Sequence, residues 1–430
     1  MSVVNDIIKD IPIPELVRVK QSFDRTCLED IEDTLYREIK TEKIMSRIHP
    51  GQSIAVAVGS RGINHHGLIT KTVVSALKEL GANPFIVASM GSHGGATVEG
   101  QKSILDGYNI TEEYCGCPVK IGTEVSLIGY TDDSKPVYID KFAAEADGIV
   151  LINRIKPHTA FRGPYESGLM KMMAIGLGKQ KGAETCHAAG FENMAENIPK
   201  FGNAVLKNSN VIFGLAILEN AYDETRELIA LTSEEIPVKE PELLQRAMSY
   251  MPKILPSCTD LLIVGRIGKN YSGDGMDPNI SGTFATKCAS GGVKSQRVAV
   301  LDITEESHGN GVGFGMADVS TKKAADKFDP EMSYPNALTC LVSQVVKIPM
   351  IFDNDRLCIQ AGIKLCADVD YRDVRVIYVD NTLQLENIYV SKNMVEEVRD
   401  IQGVTIDGDS MPLKFDDEGN IVFREGKMVI

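Results

Sequence analysis

Short apolar runs that alternate with helix-like segments most constrain the fold of this chain. Residues 53–58 (SIAVAV) and 84–88 (PFIVA) predict buried strands, and the stretch 68–80 between them has helical spacing and ends before Gly81. Residues 148–153 (GIVLIN) predict a third strand, followed by a helical stretch at 167–175. Because successive parallel strands need crossover connections, we expect an α/β fold with a mostly parallel sheet flanked by helices.

The length of 430 residues predicts two such domains, since a single hydrophobic core rarely grows that large. A second series of strands (260–264, 297–301, 374–379) and helices (322–328, 336–346, 355–365) follows two prolines near residue 254. We therefore expect an N-terminal domain over 1–253 and a C-terminal α/β domain over 254–405. Residues 406–430 predict a hairpin tail that packs back on the N-terminal domain.

The charge and the hydrophobic pattern of the sequence argue against nucleic acid and membranes as partners. The formal net charge of −14 argues against nucleic acid, because phosphate binding needs a basic surface. No segment reaches the roughly 18 apolar residues of a membrane helix, and the N-terminus does not resemble a signal peptide. Nine cysteines with irregular spacing are typical of reduced thiols, so we expect a cytoplasmic protein.

Three polar loops directly follow the first three predicted strands. The first contains Ser60, Arg61 and Gly62, the second contains His93, and the third contains His158. Ligands bind outside the carboxyl ends of parallel strands, so these loops should meet on one edge of the sheet. A histidine in a loop is more often a surface residue, and glycine-rich turns are common, so each loop alone is a weak signal. We expect His65 and His66 at the surface.

Two further residues stand in chemically suggestive surroundings. Lys171 lies in an apolar stretch, where a lysine is costly unless it is paired, used covalently or extended to the surface. His187 follows 16 residues later. The chain contains no HExxH, Walker or GxSxG motif.

These segments together resemble the family of nickel-dependent lactate racemases and related 2-hydroxyacid racemases and epimerases. The segment GSHGGATVEGQ is similar to the family loop with one catalytic histidine, here His93, and NRIKPH is similar to the loop with the second, here His158. The resemblance implies that Lys171 is joined covalently to the cofactor and that His187 ligates nickel.

The implied cofactor is a nickel pincer mononucleotide, which binds nickel through two sulfurs and one carbon, so one imidazole completes the square plane. The resemblance places Ser60, Arg61 and Gly62 at the cofactor phosphate. It also implies that Arg61 binds the substrate carboxylate and that Lys287 corresponds to a substrate-binding lysine of the second domain.

The implied reaction inverts C2 of a small anionic 2-hydroxyacid, lactate-like or a sugar acid, by hydride transfer, with one histidine as the base for each face. The resemblance further implies an active site in the cleft between the domains and cofactor-synthesis proteins as partners, and it leaves a homo-oligomer open. Two alternatives remain at this stage. One is a metal-dependent hydrolase or hydro-lyase that uses the same histidines, and the other is a non-catalytic protein that binds a phosphorylated ligand.

Overall fold

The computed structural model describes residues 3–60, 62–424 and 427–428. The chain divides into two compact units. The first unit is Asp24–Met251, and the second unit combines Met1–Phe23 with Pro252–Ile430. This division differs from the sequence-based one, which assigned residues 1–23 to the N-terminal domain. The tail 406–430, expected to pack on that domain, also belongs to the second unit.

The strands, in chain order, are β1 Leu16–Gln21, β2 Ser53–Val58, β3 Asn83–Ala88, β4 Val119–Lys120, β5 Val125–Tyr130, β6 Pro136–Asp140, β7 Gly148–Arg154, β8 Val211–Glu219, β9 Thr225–Thr232, β10 Cys258–Val264, β11 Lys294–Val300, β12 Val319–Thr321, β13 Met350–Phe352, β14 Val376–Val379, β15 Asn387–Ser391, β16 Val404–Ile406, β17 Phe423–Arg424 and β18 Lys427–Met428.

The α-helices are α1 Val3–Ile8, α2 Ile31–Ile39, α3 Glu42–Met45, α4 His66–Glu79, α5 Val98–Gly107, α6 Glu112–Cys115, α7 Lys141–Ala144, α8 Leu169–Lys171, α9 Lys179–His187, α10 Met194–Asn208, α11 Ile236–Tyr250, α12 Pro278–Ser281, α13 Lys322–Lys327, α14 Pro330–Cys340, α15 Asp355–Lys364 and α16 Val395–Arg399. One turn of π-helix, Met172–Gly176, continues α8.

The first unit is built on a six-stranded sheet with the order β4-β3-β2-β7-β8-β9. The first five of these strands run parallel, and β9 pairs antiparallel with β8. The strands β5 and β6 form a separate antiparallel pair. The predicted α/β class is therefore confirmed, and the bounds of β2 are those expected from the sequence.

The centre of this sheet is buried on both faces, which explains why β2 is an uninterrupted apolar run. Val56 and Val58 are fully buried and pack in one core cluster with Ile69, Val73 and Leu77 of α4. Each large apolar side chain buried in this way contributes roughly 1.5–3 kcal/mol. The connection from β2 through α4 to β3 is thus held on the sheet by the helix face that the apolar spacing predicted.

The second unit contains an eight-stranded mixed sheet with the order β13-β12-β11-β10-β14-β15-β1-β16. Strands β13 to β14 in this order are parallel, and β15, β1 and β16 add antiparallel pairs. The pairing of β1 with β15 and β16 is the reason that residues 1–23 belong to this unit. No local pattern predicted it, because the partners of β1 lie at the far end of the chain.

The helix expected at 336–346 begins earlier and ends earlier than the sequence indicated. Asp329 caps α14, which starts at Pro330 and ends at Cys340. Leu341 then adopts a φ of +59°, a left-handed conformation that stops the helix. The apolar residues beyond it begin a short 3₁₀ turn instead.

A buried ion pair ties three elements of the first unit together. Lys179, only 2% exposed, places its Nζ 2.9 Å from an oxygen of Asp140 at the end of β6. The same ammonium donates to the carbonyl of Ala88 at 2.5 Å and to Gln101 of α5 at 3.2 Å. Ala88 is the last residue of β3, so this lysine stabilises the end of β3, from which the His93 loop begins.

We expect Lys179→Met to lower the free energy of unfolding by roughly 3–5 kcal/mol, because Asp140 would then be buried without its cation. Lys102→Met is the matched control, since it breaks only the exposed pair with Asp106, a type worth roughly 0–1 kcal/mol. Urea unfolding followed by circular dichroism measures both. A loss for Lys179→Met no larger than that of the control would contradict the prediction.

Candidate functional site

The carboxyl ends of three parallel strands lie side by side at one edge of the first sheet. Val58, the last residue of β2, pairs with Ala88 of β3 on one side and with Ile152 of β7 on the other. The loops that follow these strands therefore start at the same level. These loops carry Ser60, His93 and His158.

Ser60 and His93 contact each other across two of these loops. The hydroxyl of Ser60 pairs with Nδ1 of His93, and the Tyr108 hydroxyl donates to the Ser60 carbonyl at 3.3 Å. A hydroxyl can both donate and accept a hydrogen bond. Ser60 can therefore orient the His93 ring through Nδ1 in either neutral form or in the charged form.

Glycines in the His93 loop allow two backbone segments to touch. Gly94 has a φ of +66°, and a Cβ there would lie 2.7 Å from the carbonyl carbon of Gly100. A Cβ on Gly100 would lie 1.9 Å from the Gly94 carbonyl oxygen. Thr97, between them, caps α5 by accepting from the Gly100 amide at 3.0 Å. The spacing of the motif GGATVEG thus follows from close backbone contact.

The loop after β2 was predicted to bind the cofactor phosphate. Arg61 lies outside the described residues. Gly62 is exposed, and a Cβ added to it would meet no atom within 4 Å. The far side of the loop is anchored by Asn64, whose amide donates to the buried carboxylate of Glu219 at 2.7 Å. The roles of Arg61 and Gly62 stay predictions.

A buried carboxylate shapes the loop of His158. The carboxylate of Glu166, 1% exposed, accepts the His158 amide at 2.7 Å and the Gly163 amide at 3.2 Å. Arg162 lies 3.3 Å from it. Burial raises the pKa of Glu166, while these donors oppose the shift. The loop closes on itself through a bridge between Lys156 and Ser167, so His158 is held at a defined place on the edge.

Two phenylalanines bring His158 and His187 into one cluster. The ring centre of Phe161 lies 4.5 Å from that of His158. The ring of Phe191 lies 6.0 Å from His158 and 5.6 Å from His187. The two histidines, which come from different segments of the chain, thus share an aromatic neighbour.

Lys171 ends α8, a helical turn whose beginning is capped from another helix. The buried carboxyl of Glu240 on α11 accepts the Met170 amide at 3.0 Å. Burial raises the pKa of Glu240 to about 8. A Cβ on Gly168 would lie 2.2 Å from Oε1 of Glu240, so any larger residue here would displace this carboxyl. Lys171 itself is half-buried, so it is neither a core residue nor a fully exposed lysine.

His187 has the protonation pattern of a metal ligand. Its Nδ1 lies 2.7 Å from the Ala183 carbonyl, which can only accept, so Nδ1 carries the hydrogen and Nε2 has a lone pair. Burial lowers the pKa of His187. The hydrogen bond to the Ala183 carbonyl opposes this shift, and the positive charge of Lys171 lowers the pKa further. A neutral imidazole with its lone pair on Nε2 fits the nickel ligand and, with Lys171 nearby, the attachment point that the resemblance implies.

Lys287 is exposed on the second unit, and its role stays a prediction. The expectation that His66 lies at the surface is wrong, because this residue is 2% exposed, 5.3 Å from the Tyr108 ring. Burial lowers the pKa of His66 to about 4. His65 is exposed, as expected. Across the described ranges, no group of three or more His, Cys, Asp or Glu side chains could hold a metal ion.

Sequence reasoning missed four residues of this site, namely Phe161, Glu166, Phe191 and Glu240. A signal existed for the two aromatic residues, since each follows a predicted site histidine by three or four positions. The two glutamates gave no signal, because an acidic residue in a sequence is usually exposed.

Part of the chain is similar to a known protein family. Residues 9–198 match the family model described as lactate racemase N-terminal domain. No curated protein sequence matches the chain. Among the described residues, no helix is long and apolar enough to cross a membrane.

Two solved structures share the fold. The lactate racemase apoprotein from Thermoanaerobacterium thermosaccharolyticum is 14% identical, with a TM-score of 0.52 over 86% of this chain and 99% of that one. A protein from Thermotoga maritima is 12% identical, with a TM-score of 0.52 over 83% of this chain and 97% of that one. At these identities the two structures show a shared fold only. The family model shows sequence similarity over the N-terminal part of the chain. Residues 9–198, somewhat under half of the chain, are therefore similar to the lactate racemase N-terminal domain, and the chain shares its fold with a lactate racemase apoprotein.

Proposed function

We propose that this chain is a racemase or epimerase of a 2-hydroxyacid that works with a nickel pincer mononucleotide held by Lys171 and His187. The observation that supports this most directly is the hydrogen bonding of the His187 ring. Its Nδ1 is engaged by a backbone carbonyl, and the charge of Lys171 acts on the same ring. A ligand and an attachment point for one cofactor would need this proximity.

The cofactor, when bound, supplies a hydride acceptor and donor. The protein contributes the remaining chemistry. Lys171 would hold the cofactor covalently, His187 would ligate nickel through Nε2, and Ser60, Arg61 and Gly62 would contact the cofactor phosphate. Because a finished cofactor must be delivered, proteins that synthesise it are expected partners.

The substrate is a small anion, and the chain as a whole carries a net charge of −14. Its carboxylate must therefore meet local cations. Arg61 is the first of these, since a guanidinium can bind a carboxylate through two hydrogen bonds. Lys287 is the second candidate. Lactate-like acids and sugar acids both carry the required C2 hydroxyl and carboxylate.

His93 and His158 serve the hydroxyl of the substrate. Their loops leave β3 and β7, the strands on either side of β2, at one edge of the sheet, and His158 shares Phe191 with His187. The rings of Phe161 and Phe191 make this side of the site apolar. An apolar wall would keep water away from the 2-oxo acid that forms when the substrate loses its hydride.

We expect Lys171→Ala to abolish covalent loading, because the variant lacks the amine that would form the bond to the cofactor. Intact mass spectrometry after co-expression with cofactor-synthesis proteins measures the added mass. Lys181→Ala, which removes an exposed lysine of α9, is the control and should load as the wild type does. Equal added mass in Lys171→Ala and the wild type would refute this attachment site.

We expect His187→Ala to lose nickel faster than the wild type during dialysis, because the metal would then lack the imidazole that the protein contributes. Elemental analysis gives nickel per chain over time. His49→Ala removes an exposed histidine of the same unit and should keep wild-type retention. Identical nickel loss in the three proteins would rule out His187 as the ligand.

A 2-hydroxyacid labelled with deuterium at C2 should keep its label during inversion, because the hydrogen travels as hydride and does not exchange with water. Product stereochemistry and mass measure this. His93→Ala and His158→Ala should each lower the rate by on the order of 10²–10⁴, the range for removal of an acid–base group. Washout of the label into solvent would indicate proton abstraction from carbon, and would sink the hydride proposal.

A further inference from the structure

The turn that carries Lys171 is packed into the core by the two residues before it. Leu169 and Met170 are fully buried. A Cβ on Gly214 of β8 would lie 2.7 Å from Leu169, and a Cβ on Gly202 of α10 would lie 2.7 Å from Met170. These two side chains fill the space that the glycines leave, so the turn has little room to shift. Lys171, the last residue of the turn, is only half-buried.

Two side chains from other elements bind the backbone of this turn. Glu240 of α11 accepts the Met170 amide at 3.0 Å. Asn153 of β7 donates from its side-chain amide to the Gly168 carbonyl at 2.7 Å. The first contact satisfies a donor and the second an acceptor at the beginning of the same helical turn. Lys171 directly follows Met170, so the position of its backbone depends on both contacts.

The segment after Lys171 is held as well. The Leu177 amide donates to the Met172 carbonyl at 2.8 Å, which closes the π-helical turn. The Gly176 carbonyl accepts the Gly91 amide at 3.2 Å, so this turn is tied to the loop that follows β3. Single turns of π-helix frequently occur at functional sites. Lys171 therefore lies between two anchored pieces of backbone.

Glu240 is an unusual residue for its place in α11, because it is an acid that water does not reach. It is 1% exposed. Burial raises its pKa to about 8, although the amides of Met170 and Leu169 oppose the shift. Burying a carboxyl group costs free energy that an apolar side chain of similar size would not cost. An apolar side chain would, however, leave the Met170 amide without this acceptor. What the acid contributes here is order at one point, the turn of Lys171.

We propose that Glu240 is a positioning residue for Lys171. Its carboxyl group fixes the turn Leu169–Lys171, so that the ε-amine is held in place before any cofactor arrives. Glu240 touches neither cofactor nor substrate in this scheme and acts through the Met170 amide. The inference rests on the proposed function for what the amine binds, and on the contacts of the turn for where the amine is held.

Three variants of α11 separate the acceptor from the packing. Glu240→Leu keeps a similar volume and removes the acceptor. Glu240→Gln keeps a carbonyl oxygen, and its amide has nearly the shape of the protonated carboxyl group that a pKa of about 8 implies near neutral pH. Glu242→Leu makes the same change as the first variant at an exposed position two residues away, and it is the matched control.

The first test needs no cofactor. The full chain is treated briefly with acetic anhydride, and peptide mass spectrometry gives the acetylation rate of Lys171 relative to Lys181, an exposed lysine of α9. We expect Glu240→Leu to raise this ratio roughly three- to tenfold, the scale of one lost hydrogen bond, because a loosened turn exposes the amine. Glu240→Gln and Glu242→Leu should keep the wild-type ratio. A wild-type ratio in Glu240→Leu would overturn the proposal.

The second test measures covalent loading by intact mass after co-expression with cofactor-synthesis proteins. We expect the loaded fraction to fall severalfold in Glu240→Leu and to return to the wild-type value in Glu240→Gln. Equal loading of Glu240→Leu and the wild type would also contradict the proposal. If Glu240→Leu does not fold, Glu240→Asp takes its place in both tests, because an aspartate is one methylene too short to reach the Met170 amide.

The two proposals fail in different ways. If the wild type gains no mass at Lys171, the proposed function is wrong, while acetylation still decides whether Glu240 holds the turn. If the wild type is loaded and the acetylation ratio does not respond to Glu240→Leu, the proposed function stands and the role of Glu240 is wrong.

Discussion

Parallel hydrogen bonding holds β2 in register between β3 and β7, and the candidate site depends on that register. Because Val58 is level with Ala88 and Ile152, the three loops that follow begin together. A slip of one residue would exchange the faces of the strand and separate these loops. The core between β2 and α4 resists such a slip, since every residue from Ile54 to Val58 is buried.

Buried charged and acidic groups then position the loops that the sheet brings together. Lys179 fastens the end of β3, Glu166 holds the His158 loop, and Glu240 caps the turn that ends in Lys171. Each satisfies backbone groups that a loop would otherwise leave to water. Functional side chains need support of this kind, because a site on an unsupported loop loses the geometry that its chemistry requires.

Three histidines of the first unit illustrate how one hydrogen bond selects the chemistry of an imidazole. Nδ1 of His93 meets a hydroxyl, Nδ1 of His158 meets a backbone N–H, and Nδ1 of His187 meets a backbone carbonyl. A hydroxyl can donate or accept, a backbone N–H requires the lone pair of Nδ1, and a backbone carbonyl requires the hydrogen on Nδ1 and so leaves the lone pair on Nε2. Residue type alone does not distinguish these cases.

The sequence by itself determined the α/β class, the bounds of β2, and the position of His93 and His158 just beyond strands. These features follow from local periodicity and turn chemistry. Only the tertiary structure decided that β1 joins the second unit, that His66 is buried, and that Glu166 and Glu240 cap backbone amides. Local patterns encode which faces are apolar, whereas strand partners and the atom opposite each ring nitrogen depend on segments that are distant in the chain and meet only when it folds.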